Sequence, residues 1–215
     1  MRALILVDLQ NDFLPTGNLP VPGGDEVIPV ANRLLAERAR LFDYVVATQD
    51  WHPPGHKSFA SSHHAANPGD VIDLNGLNQM LWPEHCVQGT FGAAFVSGLM
   101  MNRVDMVCPK GQHPEVDSYS GFFDNARRGE TGLSQWLKIR GVRDLTILGL
   151  ATDYCVRFTV LDALSEGFQV RVVTDGCRGV NVESGDDHRA IQAMQTAGAA
   201  TWRLHEIMSI GSIKS

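Results

Sequence analysis

The stretch Leu145-Thr146-Ile147-Leu148-Gly149-Leu150, followed at once by Ala151-Thr152-Asp153-Tyr154-Cys155-Val156, limits the possible folds of this chain more than any other. Residues 145–150 are of strand length, partly β-branched and uncharged, so they suit a strand covered on both faces. Val156, Thr159, Val160, Ala163 and Leu164 then recur at helical spacing up to Gly167, which predicts a helix stopped by that glycine. A doubly buried strand running straight into a helix belongs in a parallel sheet with helices on both faces.

The rest of the chain repeats the pattern. Leu4 to Val7 reads as a strand stopping at Asp8, and Val27, Ile28, Ala31, Leu34, Leu35 and Ala39 mark one helix from about Asp25 to Leu41. Tyr44 to Thr48 is the next strand, ending at Gln49-Asp50, and Val104 to Cys108 the third, ending at Pro109-Lys110. After a short helix over Thr131 to Arg140 and the central strand come a strand from Gln169 to Thr174, closed by Asp175, and a helix from Ser184 to Thr196. A last strand near Ala200 to Leu204 precedes a ragged tail. Two segments lack periodicity, from Asp50 to about Gly92 and from Lys110 to about Gly129, and long loops of that kind inside a compact domain are usually functional. The 215 residues are expected to form a single domain, 1–215.

Composition narrows the function. A formal net charge of −6 without a basic run argues against nucleic acid or an anionic membrane surface as partner. No apolar stretch approaches membrane-spanning length and the N-terminus enters a strand directly, so a cytoplasmic protein is expected. Cys86, Cys108, Cys155 and Cys177 are widely spread with no CxxC pair, which predicts reduced thiols rather than a disulfide framework or zinc knuckle.

Parallel sheets of this type bind ligands outside the carboxyl ends of their strands. Asp8, Asp50, Lys110 and Asp175 each close a predicted strand there, and Cys155 opens the helix after another. At a helix N-terminus the free N–H groups and the macrodipole favour a thiolate, with Thr152 or Asp153 expected as the cap. A thiol nucleophile needs a base; Asp8 can serve if a cation holds it ionised, and Lys110 supplies that charge without competing as an acceptor. No histidine ends a strand beside Cys155, so a Cys/His pair is the weaker construction. The plainer alternatives are a small apolar cysteine filling a helix–sheet interface and a partly buried Asp8–Lys110 ion pair.

A second constellation is Asp50-Trp51-His52, with His56 just after it and Trp82-Pro83-Glu84-His85 at the far end of the loop. Carboxylate and imidazole suit zinc, iron or manganese, and three protein ligands with open positions mark a catalytic rather than a structural metal site. His56 is either a further ligand or solvent-facing, while His63 and His64 sit in a polar run and read as surface.

Taken in order, Val7-Asp8-Leu9-Gln10-Asn11-Asp12-Phe13, Asp50-Trp51-His52-Pro53, Trp82-Pro83-Glu84-His85-Cys86-Val87-Gln88-Gly89-Thr90, Lys110-Gly111 and Gly149-Leu150-Ala151-Thr152-Asp153-Tyr154-Cys155-Val156 closely resemble the nicotinamidase group of isochorismatase-like cysteine hydrolases. The resemblance spans nearly the whole chain. It implies an α/β/α sandwich around a six-stranded parallel sheet and deamidation of nicotinamide to nicotinate and ammonia in NAD salvage, with pyrazinamide as a further substrate. It implies Cys155 as nucleophile, Asp8 as general base, Lys110 as the third catalytic residue, and Asp50, His52 and His85 as ligands of one divalent metal, zinc first. It also implies a cis peptide before Ala151, an oxyanion hole from the N–H groups of Ala151 and Cys155, a ring sandwich between Phe13 and Trp82, and Asp117 orienting His85. The partner is then a small molecule, and the assembly a monomer or homodimer. A sister hydrolase acting on isochorismate or an N-carbamoyl amide would keep the fold without needing the metal site. A non-enzymatic metal-binding or redox protein would leave Asp8 and Lys110 without a purpose.

Overall fold

The computed structural model describes residues 1–210. The elements are β1 (Arg2–Val7), α1 (Val27–Ala36), α2 (Arg38–Leu41), β2 (Tyr44–Asp50), β3 (Val71–Leu74), β4 (Leu77–Met80), β5 (Met106–Lys110), α3 (Leu133–Ile139) and β6 (Asp144–Leu150). They continue with α4 (Arg157–Ser165), β7 (Gln169–Arg178), α5 (Asp186–Thr196), β8 (Ala200–Trp202) and α6 (Leu204–Ser209). Six strands form one parallel sheet in the order β5-β2-β1-β6-β7-β8.

Consecutive residues from Ala3 to Val7 and from Leu145 to Leu150 are all buried, so both faces of the two central strands are covered, as their unbroken apolar runs require. α1 packs with α6 over β7, and α4 packs with α5 over β7 and β8. The order reverses between β1 and β6. Their carboxyl ends therefore flank the crevice where doubly wound sheets take ligands, and Asp8 and Cys155 lie beside it.

Several expectations are corrected. The helix expected over residues 25–41 is two helices separated at Glu37, whose backbone leaves the helical region (φ −96°, ψ 11°). The segment after Asp50 holds a hairpin, β3–β4, whose two-residue turn is Asn75-Gly76, both at positive φ (55° and 84°). β7 runs on to Arg178, and the Asp175 carboxylate accepts the Leu204 N–H (2.9 Å) at the start of α6. Asp175 therefore caps a helix and does not join the residues beside Cys155. The expected tail from Leu204 is helical up to Ser209, with Ile207 buried; its remainder, 211–215, lies outside the described residues.

Candidate active site

Asp50 and Lys110, the last residues of β2 and β5, are register partners, and the pairing carries both side chains into one buried cluster. Lys110 Nζ lies 2.7 Å from Asp50 Oδ1, 2.9 Å from the Ser118 carbonyl oxygen and 3.4 Å from Cys155 Sγ. These use its three protons. Asp8 Oδ2, 2.9 Å from the same nitrogen, is thus held by charge, and it accepts no hydrogen bond among the described residues. Thr48 fixes the other end of Asp8: its hydroxyl donates to Oδ1 (2.6 Å) and accepts the Asp8 N–H (3.2 Å). An oxygen of Asp8, an oxygen of Asp50 and Cys155 Sγ all lie within 4.8 Å of one another.

Burial sets the charges. It pushes the Asp8 carboxyl above the usual carboxylate range against the pull of Lys110, and the nearby Asp50 adds to the rise. Burial also works on Asp50, but there Lys110 and then His52 win and hold it well below that range. Burial opposes the Lys110 charge as well, and is overcome by Asp50 and Asp8, which leave the ammonium firmly protonated. The Cys155 thiol is pushed well above its ordinary value by burial, against Lys110. That direction runs against the thiolate expected at a helix N-terminus. The cap differs too: Ala151 precedes a single π-helical turn, Thr152–Val156, with no side-chain cap, and the Asp153 carboxylate instead accepts the N–H groups of Val180 (2.9 Å) and Asn181 (2.7 Å). The Leu150–Ala151 peptide is cis.

Beyond Asp50 lie two imidazoles. His52 Nδ1–H donates to the Gly111 carbonyl (2.9 Å) and His85 Nδ1–H to the Pro83 carbonyl (2.8 Å); a carbonyl only accepts, so Nδ1 carries a proton in both rings and a neutral imidazole at either place would present its Nε2 lone pair. Those Nε2 atoms stand 3.5 and 3.6 Å from Asp50 Oδ2. Burial lowers the His52 pKa, but Asp50 and then Asp117 outweigh it and raise it above the ordinary imidazole value, and the buried His52 Nε2 has no hydrogen-bond partner among the described residues. Two nitrogens and one oxygen converging in this way suit a divalent metal with open positions.

His56 is buried and already engaged. Its Nε2–H donates to the His113 carbonyl (2.8 Å) and its Nδ1 accepts from the Ser58 hydroxyl (2.7 Å), while burial and then His52 lower its pKa to about 4. Asp117 faces His52 Nε2 (4.0 Å), not His85, and receives the Gln79 amide (3.2 Å). His63 is half-buried and donates to the Lys57 carbonyl (2.8 Å), whereas His64 is exposed.

A cavity lies over these groups, lined by Phe13, Leu19, Val21, Trp82, Tyr119, Tyr154 and Val180, with Asp50, His85, Asp117, Ala151 and Cys155 beneath. The isochorismatase domain matches residues 2–206 of the chain. The chain belongs to that family. It is 50% identical over 203 residues to the nicotinamidase of Escherichia coli, covering 94% of this chain and 95% of the relative. The solved Acinetobacter baumanii nicotinamidase pyrazinamidase is 40% identical with a TM-score of 0.91, covering 96% and 97% of the two chains. The Pyrococcus horikoshii pyrazinamidase, solved in complex with zinc, is 38% identical with a TM-score of 0.76, covering 94% and 98%.

The nine residues that the resemblance implies for the site (Asp8, Phe13, Asp50, His52, Trp82, His85, Lys110, Ala151 and Cys155) lie in this cluster or its walls, whereas Asp175, also expected at this edge, does not. Sequence reading missed Tyr119, whose hydroxyl accepts from Trp82 Nε1 (3.1 Å) and Gln79 Nε2 (3.2 Å), and Tyr154, whose hydroxyl donates to Met80 Sδ (3.4 Å). It also missed Thr48, which follows the register pair Leu6–Ala47 by one residue and bonds to both the N–H and the carboxylate of Asp8.

Proposed function

We propose that this chain hydrolyses nicotinamide to nicotinate and ammonia, and pyrazinamide by the same route, in one catalytic domain. The observation that carries the reading is the Lys110 ammonium, which touches Asp8, Asp50 and Cys155 at once beneath an aromatic-walled cavity. The relatives named above add the substrate class.

The pyridine ring lies between Phe13 and Trp82 with its carboxamide over Cys155. Asp8 Oδ2 takes the Cys155 proton, and the thiolate attacks the carboxamide carbon while the carbonyl electrons move onto oxygen. The N–H groups of Ala151 and Cys155 hold that oxyanion; removal of one such donor typically costs about 3 kcal/mol of transition-state stabilisation. Asp8 returns the proton to the nitrogen, the C–N bond breaks, and ammonia leaves a nicotinoyl thioester on Cys155. Water then attacks the thioester carbon, giving one proton to Asp8; collapse breaks the C–S bond, the Cys155 sulfur takes that proton back from Asp8, and nicotinic acid leaves and ionises to nicotinate. Lys110 stabilises the carboxylate and the thiolate as the proton moves, so neither charge is created unpaired.

Asp50, His52 and His85 would hold one divalent metal, zinc first, which would supply a Lewis-acidic partner for the ring nitrogen. This donor set favours nicotinamide over an isochorismate or N-carbamoyl substrate, neither of which needs it. Reduced thiols fit a cytoplasmic setting, and the four cysteines are free. Ammonia release from nicotinamide by the purified protein tests the reading, with benzamide and an N-carbamoyl amide as comparisons; turnover of the N-carbamoyl amide alone would transfer the chain to the sister activity.

A further inference from the structure

Gln10 and Asp12 lie outside the cavity that holds Cys155, yet both are buried. The Gln10 amide is fully used on main chain: Oε1 accepts the Asp50 N–H (2.8 Å), and Nε2 donates to the carbonyls of Asp50 (2.8 Å) and Ala93 (2.8 Å). Asp12 Oδ2 accepts the N–H of Cys86 (2.7 Å), the residue after His85, and Oδ1 accepts the Asn18 N–H (3.1 Å). Asp12's own N–H donates to the Gly92 carbonyl (3.0 Å). The approach is tight, since a Cβ on Gly92 would stand 2.0 Å from Asp12 Oδ2. Cys86 itself has φ +47°, a left-handed conformation rare outside glycine, so the backbone beside His85 is held where it would not rest alone.

Ordinary loop anchoring would account for one such contact. Here two side chains of a single turn after β1 fix the main chain at Asp50 and next to His85, residues that reach the same point from different parts of the chain. Asp50 Oδ2 and His85 Nε2 stand 3.6 Å apart, one borne by each of these two stretches. We propose that Gln10 and Asp12 are positioning residues that tune metal affinity: they set the spacing of the Asp50 and His85 donor atoms without touching the cation. This rests on reading Asp50, His52 and His85 as the metal ligands. Residues that orient ligands from behind typically change metal affinity about 10- to 100-fold when replaced.

The test titrates metal-free protein with zinc against a chromophoric chelator for wild type, Asp12→Asn, Gln10→Glu and His52→Ala, and records thermal midpoints with and without zinc. Asp12→Asn keeps the shape but sets an amide NH2 against one of the two N–H donors. Gln10→Glu keeps the acceptor for Asp50 N–H but turns oxygen on two carbonyls. Zinc binding about 10- to 100-fold weaker in both, with a smaller zinc-induced rise in midpoint, is expected. A merely structural role would lower the metal-free and zinc-loaded midpoints equally and leave the affinity unchanged, which would overturn the proposal. Weak binding in His52→Ala beside wild-type affinity in the two positioning variants would overturn it while keeping the ligand assignment. Undiminished binding in His52→Ala would overturn both. If Asp12→Asn does not fold without metal, Asp12→Glu, which keeps both oxygens but displaces them, takes its place.

Discussion

Asp50 and Lys110 face each other as register partners, and the Asp50 carboxylate gives one oxygen to the Lys110 ammonium (2.7 Å) while its other oxygen faces both imidazoles (3.5 and 3.6 Å). Two constellations that look separate along the chain are thus one network. Lys110 neutralises the carboxylate beside Cys155 and the carboxylate that anchors the metal donors.

Lys110→Met should expose that dependence. Losing the ammonium leaves Asp8 and Asp50 buried as unpaired carboxylates, and breaking a buried pair from one side typically costs about 3–5 kcal/mol. Denaturant unfolding should show a loss of that size together with loss of turnover. Wild-type stability would mean that the two carboxylates share a proton without needing Lys110.

Cys155 should be the reactive thiol. Cys155→Ala should lower kcat by at least about 10³-fold, whereas Cys86→Ala, Cys108→Ala and Cys177→Ala should keep most activity, because among the four thiols Lys110 Nζ donates to Cys155. Since burial raises the Cys155 pKa, its alkylation rate should still be climbing as pH passes the ordinary thiol value of about 8.5. A rate already on its plateau at neutral pH would restore the helix-terminal thiolate that the sequence led us to expect.

Asp8→Asn should fold but lose about 10²- to 10⁴-fold in kcat, the usual worth of a positioned base. Thr48→Val tests the support behind it. Valine keeps the volume but leaves Asp8 Oδ1 without its 2.6 Å hydrogen bond, so a stability loss of about 1–3 kcal/mol and a lower kcat are expected. Unchanged kcat in either variant would remove Asp8 from the proton path.

The metal donors make a prediction about substrate. Benzamide has the shape and scissile bond of nicotinamide but no ring nitrogen, and a site built around a polar atom can reject the analogue lacking it by about 10²-fold or more. His52→Ala should lower kcat/KM for nicotinamide much more than for benzamide. Equal efficiency on both amides by the wild type would remove the metal from substrate recognition.

Much of this was legible in the sequence, for physical reasons. Leu4–Val7 and Leu145–Leu150 are uncharged and largely apolar because both of their faces are covered, and a parallel sheet carries strand-terminal residues such as Asp8, Asp50 and Lys110 to one edge. Orientation was less legible. Asp175 ends an apolar run as Asp50 does, but β7 continues past it and its carboxylate turns to α6. The β3–β4 hairpin is polar and largely exposed, so its apolar pattern is faint; Asn75-Gly76 was the available signal. Asp117 and Tyr119 reach the site from an irregular loop, where spacing along the chain says nothing about direction.

The most direct measurement is the stoichiometry of products from nicotinamide with purified, metal-loaded protein, following ammonia and nicotinate together in the wild type and in Cys155→Ala. The account predicts equal amounts of both from the wild type and neither from Cys155→Ala. Release undiminished in Cys155→Ala, or a wild type that leaves nicotinamide intact while cleaving an N-carbamoyl amide, would contradict it.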